Sequence, residues 1–586
     1  MHLQGFLLAL TAIIITSCNG PQYPGPLKPE QSLSSFELEP GFRVELFAAE
    51  PHVVDPVDIE FDEFGNIYVV EMLDYPYKPE AGKARSRIRY LEDTDGDGLI
   101  DHSVIFQDSL NEATSVLPWK QGLLVCAAPN ILYLKDTDND HIADHREILF
   151  TGFFANNSEA QITNLKFNID NWIYASNHGN PGQISYAPDP DHEISILGTD
   201  FRFRLDREEF EPASGYTQFG QAVDHWGRRF GTQNTVHISQ IVIPWRYLAR
   251  NKSDNNKAPI QNISDHDLEM FQLTPAPYWR AERTARRQKK YDEENLGRIE
   301  YAEDHFTGCS GGTFYNASLF PESYQGTVFT GDVAGNLIHR DVLVPGQGPL
   351  MVATRSQTDQ NKEFLASTDS WFRPANLEVA PDGSLLIVDM YRQHIETPLS
   401  IPEDLKEDMD FYAGDTMGRI YRILPTNATT NPLPRYPGHM SNTELTSLLE
   451  HPHGWWRLTA QRLLIEKGDT AVLGALKVLF QESTLPVTRL HALYTIEALG
   501  GLSTDLAFKA MNDQHPQLRI RGLQLAETYP ELLPEIINLS TDPDIQVVFQ
   551  LALTLGSFND STAQAAVTEL RKEYGSDPWF EKAFQI

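Results

Sequence analysis

The sequence predicts two folds in series: a six-bladed β-propeller followed by a HEAT-type α-solenoid, that is, a multidomain chain that is all-β first and all-α after. Three observations carry this expectation. One hairpin pattern recurs six times before residue 425, a Pro-, Asn- and Thr-rich break follows at Thr426 to Met440, and helical periodicity then runs to the end. A β-sandwich or two separate β domains would use the same local signals, and a compact helical bundle is the alternative to the solenoid.

The clearest hairpin is WFRPANLEVAPDGSLLIVDMYR, Trp371 to Arg392. An apolar strand (Ala375 to Ala380) meets a turn at Pro381-Asp382-Gly383 and returns as a second strand (Ser384 to Val388). Asp-Gly between two apolar runs is a strong hairpin signal, because tight hairpin turns need residues that tolerate positive φ. DEFGNIYVVEM, WKQGLLVCA, DNWIYASNHG, DHWGRRFGTQN and YQGTVFTGD share the plan of a turn with Asp or Gly, an apolar strand, then polar residues. Divergent copies spaced by roughly 40 to 100 residues fit blades with long insertions. DFRFRLDREEFEP alternates as a strand pair, and GRIYRILP supplies a last strand, so that the two ends of the domain complete one blade.

At the N-terminus, Phe6 to Ile15 is an apolar run too short to span a bilayer and suited to a signal peptide. Ile15-Thr16-Ser17-Cys18 closes it like a bacterial lipobox. The expectation is a signal peptide over 1–17, a lipid-carrying Cys18, a flexible tether over 18–35, the propeller over 36–424, a linker over 425–440 and helical repeats over 441–586. The protein would sit on the bacterial cell envelope, facing the periplasm or the exterior, held to the membrane only by its lipid. A cleaved secretory signal without lipid is the alternative.

The chain has 47 basic and 81 acidic residues, a net charge of -34, which repels phosphate backbones and argues against nucleic acid. The basic run Arg283, Arg286, Arg287, Lys289, Lys290 reads as a solvated insertion between blades, since three acids follow it. Of three cysteines, Cys126 lies in an apolar strand as a buried thiol; a disulfide to Cys309 stays open. No Cys-x-x-Cys-His marks a covalently attached haem. Behind Pro452, Pro486, Pro516 and Pro543, each helical segment places apolar residues on one face.

Two acidic loops suggest cation sites. DTDGDGLID places Asp93, Asp95, Asp97 and Asp101 at loop positions 1, 3, 5 and 9, and DTDNDHIAD repeats this with Asp136, Asp138, Asp140 and Asp144. That is the spacing of EF-hand-type Ca²⁺ loops, and Glu147 stands at position 12 of the second. Solvated turns and calcium sites are both open readings. Gly308-Cys309-Ser310-Gly311-Gly312 matches G-x-S-x-G, but a strand-like run follows where a hydrolase elbow needs a helix.

Taken together, DTDGDG with DTDND, DFRFR, QFGQAVDHWG, GNLIHRDVL, the Trp371 to Arg392 hairpin, GRIYRI and HPHGWWRLTAQRLL resemble a bacterial family of membrane-bound dehydrogenases. Its propeller is similar to soluble quinoprotein glucose and sorbosone dehydrogenases, and HEAT repeats follow it. The resemblance implies a pyrroloquinoline quinone (PQQ)-dependent oxidation of a sugar or related alcohol. Arg340, Arg373 and Arg392 would then pair with the cofactor's carboxylates, Ca²⁺ would polarise its carbonyl, and an electron acceptor or other protein would dock on the helical repeats. The family tends to carry a His-Arg pair ahead of LKFNIDNWIYASNHG, where this chain has Ala160 and Gln161. A base is needed to take the hydroxyl proton. His178 and Asp332 are the remaining candidates around the propeller axis, with Asp389 as an alternative structural partner for Arg392. A second class of function, a catalytically silent propeller that binds carbohydrate or a protein, is favoured by the missing pair.

Overall fold

The computed structural model describes residues 23–251, 259–429 and 435–586. Cys18 and the signal and lipobox residues lie outside the described residues. Among the described residues no helix is long and apolar enough to cross a membrane.

Six antiparallel sheets form the blades of a propeller. Blade 1 runs outward as Pro56–Phe61, Ile67–Glu71, Ser86–Glu92 and His102–Leu110. Blade 2 is Ser115–Trp119, Gly122–Ala127, Asn130–Lys135 and His145–Thr151, and its edge is covered by a hairpin, Gln183–Tyr186 with Asp189–Ser195, lent by an excursion of blade 3. Blade 3 itself is Thr163–Phe167, Ile173–Ser176, Asp200–Arg204 and Glu209–Ala213; blade 4 is Gly220–Val223, Arg229–Gln233, Val236–Ile241 and Ile260–Asn262. Blade 5 contains Cys309–Phe314, Thr327–Asp332 and Leu337–Pro345, then Leu365–Ser367 and the N-terminal Phe36–Leu38. Blade 6 is Pro374–Val379, Leu385–Asp389 and Arg419–Pro425, completed by Phe42–Ala49. Each of the six predicted hairpin motifs supplies the second strand of a different blade.

Why the second strands read as unbroken apolar runs is visible in the packing. Tyr68 and Val70 face blade 2, in a cluster with Val116, Leu123 and Val125. Val69, between them, faces blade 6 with Leu386, Val388 and Ile420. Successive side chains point to opposite faces, and here both faces are buried.

A flexible tether is expected over 18–35, ahead of the first strand. From Tyr23 onward that is corrected: Pro29–Ser32 is a short helix, the indole of Trp371 donates to Pro24 O at 2.7 Å, and the Ser32 hydroxyl meets that of Tyr421 at 2.8 Å. The basic run does lie in an insertion between blades, with Arg286, Lys289 and Lys290 exposed, but not all of it is solvated. It lies on helix Tyr278–Glu293, and Arg283 is buried against Glu396 at 2.8 Å because the helix lies over the chain that follows blade 6's second strand. Cys126 and Cys309 are both free and buried. Ser310 of the G-x-S-x-G match is on an inner strand and donates to Pro374 O, so no nucleophile elbow exists there.

After the linker, helices pair in antiparallel fashion: Asn442–Leu448 with Gly454–Lys467, Leu473–Glu482 with Pro486–Ala498, and Thr504–Met511 with Pro516–Ala526. Leu533–Asn538 precedes Ile545–Leu555, and Ser561–Tyr574 and Pro578–Ala583 follow. The second helix of each pair faces the propeller. Gln461 donates to Ile169 O at 2.8 Å, Asn171 donates to Tyr494 O at 3.0 Å, His515 stacks on Trp226 at 4.4 Å, and Gln550 donates to the Tyr247 hydroxyl at 2.7 Å. The propeller contributes hairpin turns between its first and second strands and, at Tyr247, the short helix Trp245–Leu248 that follows the third strand of blade 4. Gly383 shows why its turn needs glycine: φ is +89° and a Cβ would lie 2.6 Å from the His453 ring. The chain's own blades thus occupy this inner helical surface.

Arg462 holds the contact electrostatically, 2.9 Å from Glu63 of blade 1 and 2.8 Å from Glu466, all three side chains being buried. Removing one member of a buried ion pair strands the other charge. Arg462→Ala is expected to destabilise the chain by about 3–5 kcal/mol, read as an earlier midpoint in chemical denaturation. A wild-type midpoint would mean that the pair contributes nothing to docking.

Candidate functional site at the open mouth of the propeller

All six inner strands run in the same sense, so their first residues gather at one end of the central channel. A cavity of about 970 Å³, solvent at its mouth included, opens there. Val57, Thr114, Thr163, Phe219, Ser310 and Asn376 each line it from a different blade. The opposite end is blocked. Trp455, Leu458 and Arg462 of helix Gly454–Lys467 lie across it, and just inside Lys166 bridges Glu60 at 3.1 Å and Glu378 at 2.5 Å.

Polar groups at the mouth come from loops between blades and from helix Tyr278–Glu293. Glu159 accepts from the Tyr75 hydroxyl at 2.8 Å. Burial, and then the neighbouring Glu396, push its carboxyl up to about 7. Arg280 approaches Glu396 at 3.9 Å and is itself buried. Gln161 donates to Glu112 at 2.7 Å, while its Oε1 is buried without a hydrogen bond. The floor is apolar, from Met72, Phe219 and Met390.

The predicted cofactor arginines are engaged elsewhere. Arg340 lies on the third strand of blade 5, 2.7 Å from Asp359 and stacked over Tyr324 at 4.3 Å. Arg392 forms a bidentate pair with Asp55 of blade 1 at 2.5 and 2.6 Å, and not with Asp389. Asp389 instead accepts the backbone N–H groups of Arg373 and Tyr391 at 2.7 and 2.9 Å. Arg373 and Arg392 do meet: Arg373 Nε donates to Arg392 O at 2.9 Å, and its other nitrogens donate to Val333 O and Gln393 O, both at 2.7 Å. Burial and then Arg280 lower the Arg373 guanidinium to about 10. These guanidiniums are engaged by backbone carbonyls and by two carboxylates, Asp359 and Asp55, so they do not present a cradle for an anion.

Neither of the two candidate catalytic residues lines the cavity. Asp332 accepts N–H groups from Thr307 and Gly308 at 3.0 Å, from Ala334 at 2.9 Å and from Gly335 at 2.7 Å, which uses both oxygens on the backbone. His178 does not line the cavity; burial lowers its pKa, and its Nδ1 is enclosed without a partner.

Each acidic loop gathers a trio, Asp93 with Asp95 and Asp97, and Asp136 with Asp138 and Asp140, so each trio could hold a cation. Position 6 is left-handed in both, Gly98 at φ 92° and His141 at φ 65°. The remaining predicted ligands are elsewhere: Asp101 and Asp144 accept from Thr94 and Thr137, and Glu147 lies on strand His145–Thr151, 3.7 Å from His145. None of the nine lines the channel mouth, so an ion there would not polarise a group bound in the cavity. Sequence reasoning missed Glu159, Arg280 and Glu396. They come from three separate segments, and the only local signal was polar residues beside predicted blades.

Two outcomes follow. Arg392→Ala strands the buried Asp55 carboxylate and should cost about 3–5 kcal/mol, with the same loss whether or not ligand is present; a melting temperature equal to wild type would overturn the structural role. For Glu159, the folded value of about 7 lies above the ordinary 4.5. Between those values the folded protein holds a proton that the unfolded chain has lost, so stability falls as pH rises through the window. Glu159→Gln should flatten that fall, by on the order of 1 kcal/mol at pH 8 because the side chain is only half-buried. Parallel stability profiles from pH 4.5 to 8 would show that the shift is absent.

No curated protein matches the chain. Among solved structures, an oxidoreductase (glucose dehydrogenase) from Thermus thermophilus is 12% identical with a TM-score of 0.36, covering 66% of this chain and 100% of that one. The PQQ domain of pyranose dehydrogenase from Coprinopsis cinerea is 12% identical with a TM-score of 0.34, covering 70% and 99%. A calcium structure of a family AA12 carbohydrate-active enzyme from Trichoderma reesei is 11% identical with a TM-score of 0.35, covering 70% and 100%. Residues 28–427, the propeller with its N-terminal strap, match the domain of unknown function DUF7133, and the chain belongs to that family.

Proposed function

We propose that the channel mouth binds a neutral, hydroxyl-rich ligand of the carbohydrate class, and that the chain works as a binding protein. The observation that carries this reading is the chemistry of the cavity wall. Side-chain amides and hydroxyls converge from the blades over an apolar floor, beside two carboxylates and the guanidinium of Arg280. Amides and carboxylates can each engage pairs of sugar hydroxyls, and an apolar floor suits the C–H face of a sugar ring. The lipid anchor at Cys18 and the envelope location belong to the same proposal.

PQQ does not fit the residues present. A tricarboxylate needs several cations, whereas Arg280 lies against Glu396, and Glu159 and Glu396 line the same wall. Ala160, where the family's histidine base is expected, has no ionisable group, and Gln161, in the place of the arginine, is an amide that takes no proton at neutral pH. A second reading, in which the cavity moves a proton, has one observation in its favour: the Glu159 carboxyl at about 7 is matched to acid–base work.

Calorimetric titration with a panel of neutral mono- and oligosaccharides tests the proposal. At least one sugar should bind saturably, and Asn234→Ala, at the exposed rim, should weaken it roughly tenfold, the worth of about one hydrogen bond. The same protein is given PQQ, Ca²⁺ and an artificial electron acceptor. Sugar-dependent acceptor reduction would sink the binding reading, and so would the absence of heat with every sugar.

A further inference from the structure

Away from the channel, between the outer parts of blades 4 and 5, three imidazoles and a carboxylate face one another. His237 comes from strand Val236–Ile241, the third of blade 4. His339 and Asp341 come from strand Leu337–Pro345, the third of blade 5, two residues apart and therefore on the same face. His266 follows strand Ile260–Asn262, where the chain leaves blade 4 for the insertion over 267–308. The three rings are nearly equidistant, with centroids 5.0, 5.1 and 5.1 Å apart. Their Nε2 atoms converge on Asp341: His237 lies 3.2 Å and His339 3.4 Å from Oδ2, and His266 lies 2.9 Å from Oδ1. One ligand atom from each of the four residues can be chosen so that all lie within 4.8 Å of one another.

We infer that His237, His266, His339 and Asp341 form a binding site for a first-row divalent transition metal ion, with Zn²⁺ the best match. Three observations support this independently of proximity. The side chains of His237, His339 and Asp341 are 0% exposed, yet both nitrogens of His237, Nε2 of His339 and Oδ2 of Asp341 make no hydrogen bond. Each unsatisfied buried polar group costs about 1–3 kcal/mol, and native interiors rarely concentrate several at one point. The short N–O distances at Oδ2 therefore lack the geometry of a proton-mediated network, whereas a cation placed among the four would satisfy Nε2 of His237, Nε2 of His339 and Oδ2 of Asp341 together. Next, the outer partners are in place. His339 Nδ1 lies 2.7 Å from Glu363, whose other oxygen accepts from Arg355 at 3.1 Å and from the Phe271 N–H at 2.9 Å. A carboxylate on Nδ1 fixes the proton there and aims the Nε2 lone pair inward, the usual support of a metal-bound histidine. Finally, the Phe306 ring covers His237 at 4.5 Å and His339 at 5.1 Å, which keeps water out.

The donor set selects the ion. Three imidazoles and one carboxylate suit zinc better than Ca²⁺ or Mg²⁺, which want oxygen donors, and four protein ligands make a closed, tetrahedral, structural site. Its consequence reaches the mouth of the channel. His266 stands at the root of the insertion whose helix Tyr278–Glu293 carries Arg280 to the cavity, so the ion would clamp that insertion to both blades without touching a ligand.

The test measures metal content of the full chain as purified and after dialysis against Zn²⁺, followed by X-ray absorption. About one equivalent of zinc, with N/O neighbours at roughly 2.0–2.1 Å, is expected. His266→Ala is the variant of choice because that side chain is 12% exposed and the least embedded of the four. It should lose the equivalent, while Glu363→Gln should keep the fold and weaken zinc by about 10–100-fold in a chelator competition. A chelator should lower the melting temperature of wild type and leave His266→Ala unmoved. The inference is overturned if wild type takes up no transition metal after dialysis, if His266→Ala retains the full equivalent, or if the metal is lost instead in Asp136→Asn/Asp138→Asn, which would place it on the acidic loop.

Discussion

Closure of the ring is the constraint on which the rest depends. A blade buried on both faces is stable only when it has a neighbour on each side, so a sixfold array of such sheets must join its last member to its first. Here the N-terminal strand Phe42–Ala49 pairs with Arg419–Pro425 over its whole length, and the inner strand of blade 6 packs beside that of blade 1. Asp55 of blade 1 and Arg392 of blade 6 lie at this seam, as do Glu50 and Arg419 at 3.2 Å. Charge pairing across the closure gives it a register that hydrophobic contact alone, being non-directional, does not supply.

The closed ring has two ends, and the helical region distinguishes them. By docking its inner helices on the hairpin turns, it converts one channel opening into a packed interface and leaves the other open. The turns that the sequence repeats so plainly are thus docking elements as well as chain reversals. Asp62 and Asp224 each cap their own turn, accepting two backbone N–H groups apiece, and present neighbouring residues to the helices.

Arginine explains most of the distance between the expected site and the observed one. Arg340, Arg373 and Arg392 are all buried, yet each donates to partners within the protein. A guanidinium with five donors is well suited to tying together loops whose carbonyls would otherwise be buried unsatisfied, and from sequence that role looks the same as an anion cradle. The mouth itself is lined by amides and hydroxyls beside Glu159, Glu396 and Arg280, and none of the three predicted arginines is among its lining residues.

By itself the sequence determined the fold class, the position of all six second strands, the closing strand Arg419–Pro425 and the onset of helices after residue 440, because strand and helix periods and turn chemistry are local properties. It also located the two aspartate trios, whose geometry is set within a nine-residue loop. Only the tertiary structure decided which polar residues share a site. Glu159 meets Tyr75 across 84 positions, Arg392 meets Asp55 across 337, and His237 reaches Asp341 from a different blade. His339 and Asp341 stand two residues apart in GNLIHRDVL, but nothing in the sequence links them to positions 237 and 266, since a blade-to-blade contact is fixed by ring closure and leaves no periodic trace in the chain.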